Sequence, residues 1–124
     1  MAQTMEQKRA ADAWTKCQGC TSEYRNLAKG LPALIMNSGL MQVLAFLEEK
    51  GKKDAQRHCA VLAGHLRGWL CQRFPRELPQ ADFRSFMQAL MKAEPRAFQA
   101  ITTEAFAWLR WVRQMAPAVQ GGDR

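Results

Sequence analysis

Apolar side chains recur three and four residues apart along almost the whole chain. In the stretch that opens at Pro95 they fall at Phe98, Ile101, Ala105, Trp108, Leu109 and Val112. Only a backbone that repeats every 3.6 residues puts these on a single side. The residue types agree with the spacing. Ala, Leu and Met supply 38 of the 124 residues, whereas Val, Ile and Thr supply 11, a bias toward side chains that keep their rotamer freedom in a helix and away from those that suit strands. The pattern predicts an all-α fold, a single compact bundle of about six helices, and excludes an all-β one. A domain of this length buries roughly 65–70% of the surface its unfolded chain exposes, so it needs neither a disulfide nor a structural metal to hold together.

The apolar arc Ala10, Ala13, Trp14, Cys17, Cys20, Tyr24, Leu27 and Ala28 predicts one long helix over residues 5–28, closed by Gly30. Pro32 suits the first turn of a short second helix to Asn37, which Gly39 ends. Residues 40–50 are almost wholly apolar until their last turn, the mark of a central helix buried on most sides, and Gly51 stops it. A fourth helix over about residues 53–74 carries a stripe at Ala55, Cys59, Leu62, Leu66, Trp69 and Leu70. After the linker marked by Pro75 and Pro79, Asp82 caps a fifth helix to about Lys92, and Pro95 begins a sixth to about Met115. The bundle is thus expected over residues 1–116, with a flexible C-terminal tail over 117–124, where Pro117, Gly121 and Gly122 stand. No apolar run approaches the ~20 residues that span a bilayer, and the first residues lack the apolar stretch of a signal peptide. The expectation is a cytoplasmic protein, without membrane contact, whose four cysteines are free.

Lys and Arg outnumber Asp and Glu by 18 to 11, a formal net charge of +7. Between Lys50 and Arg76 stand seven cations, Lys50, Lys52, Lys53, Arg57, Arg67, Arg73 and Arg76, against the single acid Asp54. Nearly all the excess lies in that stretch. A localised positive field attracts phosphate polyanions or an acidic protein partner, and solvated basic faces also occur on proteins that bind nothing charged. Lys53, Arg57 and Arg67 project from the side of the fourth helix that also carries Ala60, Gly64 and Gly68, small residues that let a nucleic-acid backbone or another helix come close. On the outer face of the sixth helix, Phe106 stands beside Arg110 and Arg113, a ring and two guanidinium groups able to stack a base and hold phosphate, or to pack on another helix.

Nothing in the chain assembles a catalytic motif. There is no G-x-S-x-G elbow and no glycine-rich phosphate loop, and Glu48 and Glu49 are neighbours on different helix sides. Cys17-Gln18-Gly19-Cys20 has the spacing of half a zinc site, but no second pair follows at a matching interval, and both thiols lie on the apolar arc. His58 and His65 share a helix face about 10 Å apart, too far to hold one ion between them. No enzyme, no metal and no cofactor is expected.

Taken together, Tyr24-x-x-Leu27-x-x-x-Leu31-Pro32-x-x-Ile35-x-Asn37-x-Gly39-Leu40, then Leu44-Ala45-Phe46 and Lys50, then Leu62 and Trp69-Leu70, then Thr102-x-Glu104-Ala105-x-x-Trp108-Leu109-x-Trp111, run through most of residues 6–116. In these blocks the chain resembles the small, all-helical subunit of the type III-B CRISPR ribonucleoprotein effector, the Cmr complex. The resemblance implies a non-catalytic bundle that stacks in a few copies beside a guide-RNA–target-RNA duplex, with the other effector subunits, both RNAs and copies of itself as partners. It transfers no RNA contact to a particular residue. The candidate RNA contacts, Lys50, Lys52, Lys53, Arg57, Arg67, Arg110 and Arg113, come from the charge pattern, and Phe106 and Trp111, off the core stripe of the sixth helix, are candidate anchors for a neighbouring subunit. The competing reading is a helical adaptor whose basic face docks on an acidic protein without touching RNA.

Overall fold

Thr4 starts the first helix by a reciprocal cap: its hydroxyl accepts from the Gln7 N–H at 3.1 Å, and its own N–H donates to the Gln7 side chain at 2.7 Å. The computed structural model describes residues 2–120. Within them lie six α-helices and no strand: α1 (Met5–Cys17), α2 (Ser22–Ser38), α3 (Leu40–Lys50), α4 (Arg57–Arg73), α5 (Phe83–Lys92) and α6 (Pro95–Gln120), with a single 3₁₀ turn, Asp54–Gln56, ahead of α4. The all-α bundle of about six helices is therefore what the chain forms.

Besides the start of the fourth helix, which lies at Arg57 behind the 3₁₀ turn rather than at about residue 53, three boundaries differ from the sequence expectation, each for a local reason. The helix expected over residues 5–28 is two. Gly19 takes a φ of +69°, which breaks the helix, and the Thr21 hydroxyl accepts from the Tyr24 N–H to start α2. Next, Gly30 does not end a helix and Pro32 does not begin one; both lie inside α2, which continues to Gly39 at φ +87°. The missing Pro32 N–H is offset there by burying Leu31 and Ile35 on either side of it. Finally, α6 passes through Pro117 to Gln120, because Ala116 is fully buried, Val119 packs on the core, and the Gln120 side chain bonds the Cys20 carbonyl and the Arg25 guanidinium. Of the expected tail, Gly121 and Gly122 lie outside the described residues.

The longest helix is the spine. Arg9 meets Glu104, the Trp108 indole meets Asp12, and the thiols of Cys17 and Cys20 approach the carbonyls of Val112 and Ala116. These partners stand 95 or 96 positions apart in every case, so the α1–α2 segment runs in the same direction as α6 at a constant offset. α4 packs against α2, α3 and α6, and α5 covers one end of α3 and α4. Trp108, Phe86 and a set of leucines including Leu31, Leu44, Leu62 and Leu66 fill the centre.

α3 and α4 come unusually close at Gly51, where an added Cβ would lie 2.6 Å from the Ala60 Cβ. Ala60, expected on an open face, is in contact with the chain itself. α3 is also less enclosed than its composition suggests: Leu40, Val43, Leu44 and Leu47 are buried, but Phe46 is half exposed. Trp14 and Ala55, placed on core stripes by periodicity, are exposed as well.

Candidate nucleic-acid interface

The turn between α3 and α4 brings Lys50, Lys52, Lys53 and Arg57 to one exposed corner. Their charge is less free than the sequence suggests. Lys52 pairs with Glu49 at 3.9 Å, Arg57 with Asp54 at 3.2 Å, and the Lys50 ammonium lies over the Phe46 ring at 5.5 Å. Both ion pairs are fully in water, where such pairs are weak and yield to a stronger anion. Lys53 makes no ion pair among the described residues.

Arg67 is turned inward. Its side chain is 12% exposed, its Nε donates to the Ala81 carbonyl at 2.8 Å, its guanidinium lies over Phe83, and Glu48 stands 3.9 Å away. It ties α4 to the α5 entry and to α3, and its charge is spent on that brace. Arg73 likewise faces Glu104, at 3.5 Å. Four of the seven cations between Lys50 and Arg76 thus sit beside carboxylates, three of which, Glu48, Glu49 and Glu104, come from outside the stretch.

Glu104 is the one charged residue buried in the core among those described, at 4% exposure. The Arg9 guanidinium donates to both its oxygens at 2.8 Å, and the Trp69 indole donates to Oε2 at 3.0 Å. Burial alone would raise its pKa. The hydrogen bonds from Arg9 and Trp69 and the charges of Arg9 and Arg73 outweigh that, and the carboxyl sits below its ordinary value.

Arg110 and Arg113 are exposed on α6. Arg110 lies beside Glu6 in the first turn of α1, whereas the α3–α4 corner borders the other end of α1, so the fold does not merge these two candidate groups. Phe106 and Trp111, expected off the core stripe, are each partly buried and packed on the core, and the Trp111 indole donates to Glu6 at 2.8 Å. The large apolar side chains that do stand out are Trp14, Leu34, Met36, Phe46, Val61 and Met91. Periodicity missed Trp14 and Phe46 because each belongs to a helix whose neighbouring positions are buried.

A cavity of about 640 Å³ opens where the α1–α2 junction faces the start of α4, with Cys20, Tyr24, Arg57, His58 and His65 in its walls. The Tyr24 hydroxyl and His65 Nδ1 share a hydrogen bond of 2.8 Å. Burial, aided by the Lys16 charge and opposed by Asp12, holds His65 below its ordinary value. All four cysteines are free. Cys17 and Cys20 straddle the end of α1 rather than lying mid-helix, and burial pushes the Cys17 thiol up to about 12, far from the reactive range. Among the described residues no three of His, Cys, Asp and Glu gather as a metal ion requires, and no helix is long and apolar enough to cross a membrane.

The blocks that carry the family resemblance turn out to be the packing itself: Leu31, Ile35, Leu40 and Leu44 are buried, Gly39 makes the α2–α3 turn, and Trp69, Glu104 and Trp108 form the polar seams of the core. The family model for CRISPR-associated protein (Cas_Cmr5) matches residues 5–119, all six helices. The chain belongs to the Cmr5 family. It is also 31% identical over 97 residues to the CRISPR system Cmr subunit Cmr5 of Thermus thermophilus, covering 78% of this chain and 75% of that one. Membership in the Cmr5 family bears out the resemblance seen in the sequence, and it ties the chain to the small type III-B Cmr subunits.

Proposed function

We propose that this chain is a non-catalytic small subunit of a type III-B Cmr effector, assembling with the other Cmr subunits and with copies of itself beside the guide–target RNA duplex. The observation that carries this reading is the Cmr5-family match over nearly the whole chain. In this reading Lys50, Lys52, Lys53 and Arg57 hold RNA phosphates at the α3–α4 corner, Arg110 and Arg113 make a separate contact, and Arg67 braces the corner from inside. Such contacts read phosphate and shape, leaving sequence to guide pairing. Three of the eleven carboxylates, Glu6, Asp12 and Glu104, are taken up in holding helices together, each accepting an indole N–H.

The test is RNA binding by the isolated chain, followed by fluorescence anisotropy on duplex and single-stranded RNA across a salt series, with pull-down of the other Cmr subunits alongside. Binding should be sequence-tolerant, and each phosphate contact removed at the corner should lower the log–log salt slope by about 0.7–0.9. A folded variant with Gln at Lys50, Lys52, Lys53 and Arg57 that binds RNA unchanged removes this corner from the reading. Retention on acidic proteins with no RNA binding favours the adaptor reading instead.

A further inference from the structure

Not all the cations without a carboxylate lie at the α3–α4 corner. Arg76, from the loop after α4, Lys92, from the last turn of α5, and Arg96, from the first turn of α6, are all exposed, and none makes an ion pair among the described residues. The fold gathers them around one concavity of about 840 Å³ between α5 and the start of α6. Arg96 is also a wall of a second concavity, of about 420 Å³, that continues along α6 to Arg73 and Gln99. Arg73 brings its guanidinium there over the Phe74 ring, at 5.3 Å, with its Nε 3.5 Å from the Glu104 carboxylate.

We infer that this trough, from Arg76 and Lys92 past Arg96 to Arg73, is a second RNA-binding surface that takes the sugar-phosphate backbone of a single strand. Two carboxylates, Glu77 and Glu94, also line it, and Glu104 is shared between Arg9 and Arg73, so Arg76, Lys92 and Arg96 leave the positive excess. From Arg96 to Thr103 the trough follows α6 for about 10 Å at a helical rise, long enough for more than one phosphate. Ser85, Gln88 and Gln99 add neutral donors and acceptors suited to ribose hydroxyls.

A protein partner fits less well. Protein interfaces are anchored by large apolar or aromatic side chains, and none of the six exposed ones, Trp14, Leu34, Met36, Phe46, Val61 and Met91, lines the trough. The one ring there, Phe74, is covered by Arg73, so backbone rather than bases is what the surface can read.

This inference rests on the reading of the chain as an RNA-contacting subunit, and the experiment separates the two. Fluorescein-labelled oligouridylate is titrated into the intact chain, into a trough variant (Arg76→Gln, Lys92→Gln, Arg96→Gln) and into a corner variant (Lys50→Gln, Lys52→Gln, Lys53→Gln, Arg57→Gln), with thermal unfolding to show that each folds. The trough variant should bind about tenfold more weakly at low salt, with the log–log salt slope lowered by about two. Unchanged binding by the trough variant, with loss in the corner variant, overturns the trough and leaves the proposed function standing. Absence of binding by the intact chain overturns both. Poly-glutamate that binds as tightly as oligouridylate, and through the same three cations, makes the trough an acidic-protein dock and also overturns it.

Discussion

Glu104 has exchanged water for two oxygens' worth of guanidinium and an indole N–H, and its partners depend on it as much as it depends on them. Removing its charge leaves Arg9 and Arg73 facing a site with no anion, and breaking a pair of this kind costs about 3–5 kcal/mol. Glu104→Gln is expected to lower the free energy of urea unfolding toward the lower end of that range, since Arg9 keeps some contact with water. The pH dependence follows from the direction of the shift. A folded-state pKa below the unfolded one means that the carboxylate's contribution is complete above the ordinary glutamate range and is lost as pH falls through that range toward the lowered value. The gap between wild type and Glu104→Gln should therefore be widest at neutral pH and close in acid; a gap that widens in acid contradicts the assignment. Gly51 is a second residue whose role is steric. A methyl group there meets the Ala60 Cβ at 2.6 Å and its backbone N at 2.7 Å, and backbone has no rotamer to yield. Gly51→Ala should destabilise by about 1–3 kcal/mol in the same assay. Gly30→Ala, in mid-helix with nothing within 4 Å of the new methyl, should instead stabilise by about 0.5–1 kcal/mol.

Elements were legible where a single face is buried and a stop residue follows. The α3 and α5 spans, the Asp82 cap and the Pro95 start all follow from spacing and caps, since nothing nearby competes with them. The α1–α2 junction was hidden by its own packing. Both helices bury the same side against α6, so Cys17, Cys20 and Tyr24 continue one arc through a turn. The available signal was Gly19 followed two residues later by Thr21 and then Glu23, a helix end and a cap with an acid in the new first turn. Pro32 misled in the opposite sense, because a rule about isolated helices was overruled by the burial of Leu31 and Ile35. If Thr21 is the device that starts α2, Thr21→Ala should cost about 1 kcal/mol in thermal or urea unfolding. Thr21→Ser, which keeps the acceptor, should recover most of that loss.

At the scale of the molecule, the basic stretch was visible in the sequence but much of its pairing was not, because Glu48 and Glu104 reach Arg67 and Arg73 only through helix packing. The same holds for the aromatic pair on α6. Phe106 and Trp111 stand off the stripe that faces the core centre, yet both rings are partly buried against the core, and Trp111 meets Glu6 of α1. A ring in that position packs its buried part in the bundle, and in the proposed assembly its open edge would meet a neighbouring subunit. The two contributions separate experimentally. Truncating a fully buried ring costs about 3–5 kcal/mol, so Phe106→Ala and Trp111→Ala should each cost about half of that, with Trp108→Ala, at the fully buried end, as the reference. Trp111→Phe keeps most of the packing and removes the bond to Glu6, which isolates the polar part of the loss. In an assembly interface the open edge adds a second effect. At a temperature where both alanine variants remain folded, each should enter the Cmr assembly less well than wild type in pull-down with the other subunits, by more than the unfolded fraction accounts for. Full incorporation of both variants would confine the rings to the bundle, and the contacts between subunits would then have to come from the open apolar side chains of α1 to α5, of which Trp14 and Phe46 are the first to substitute.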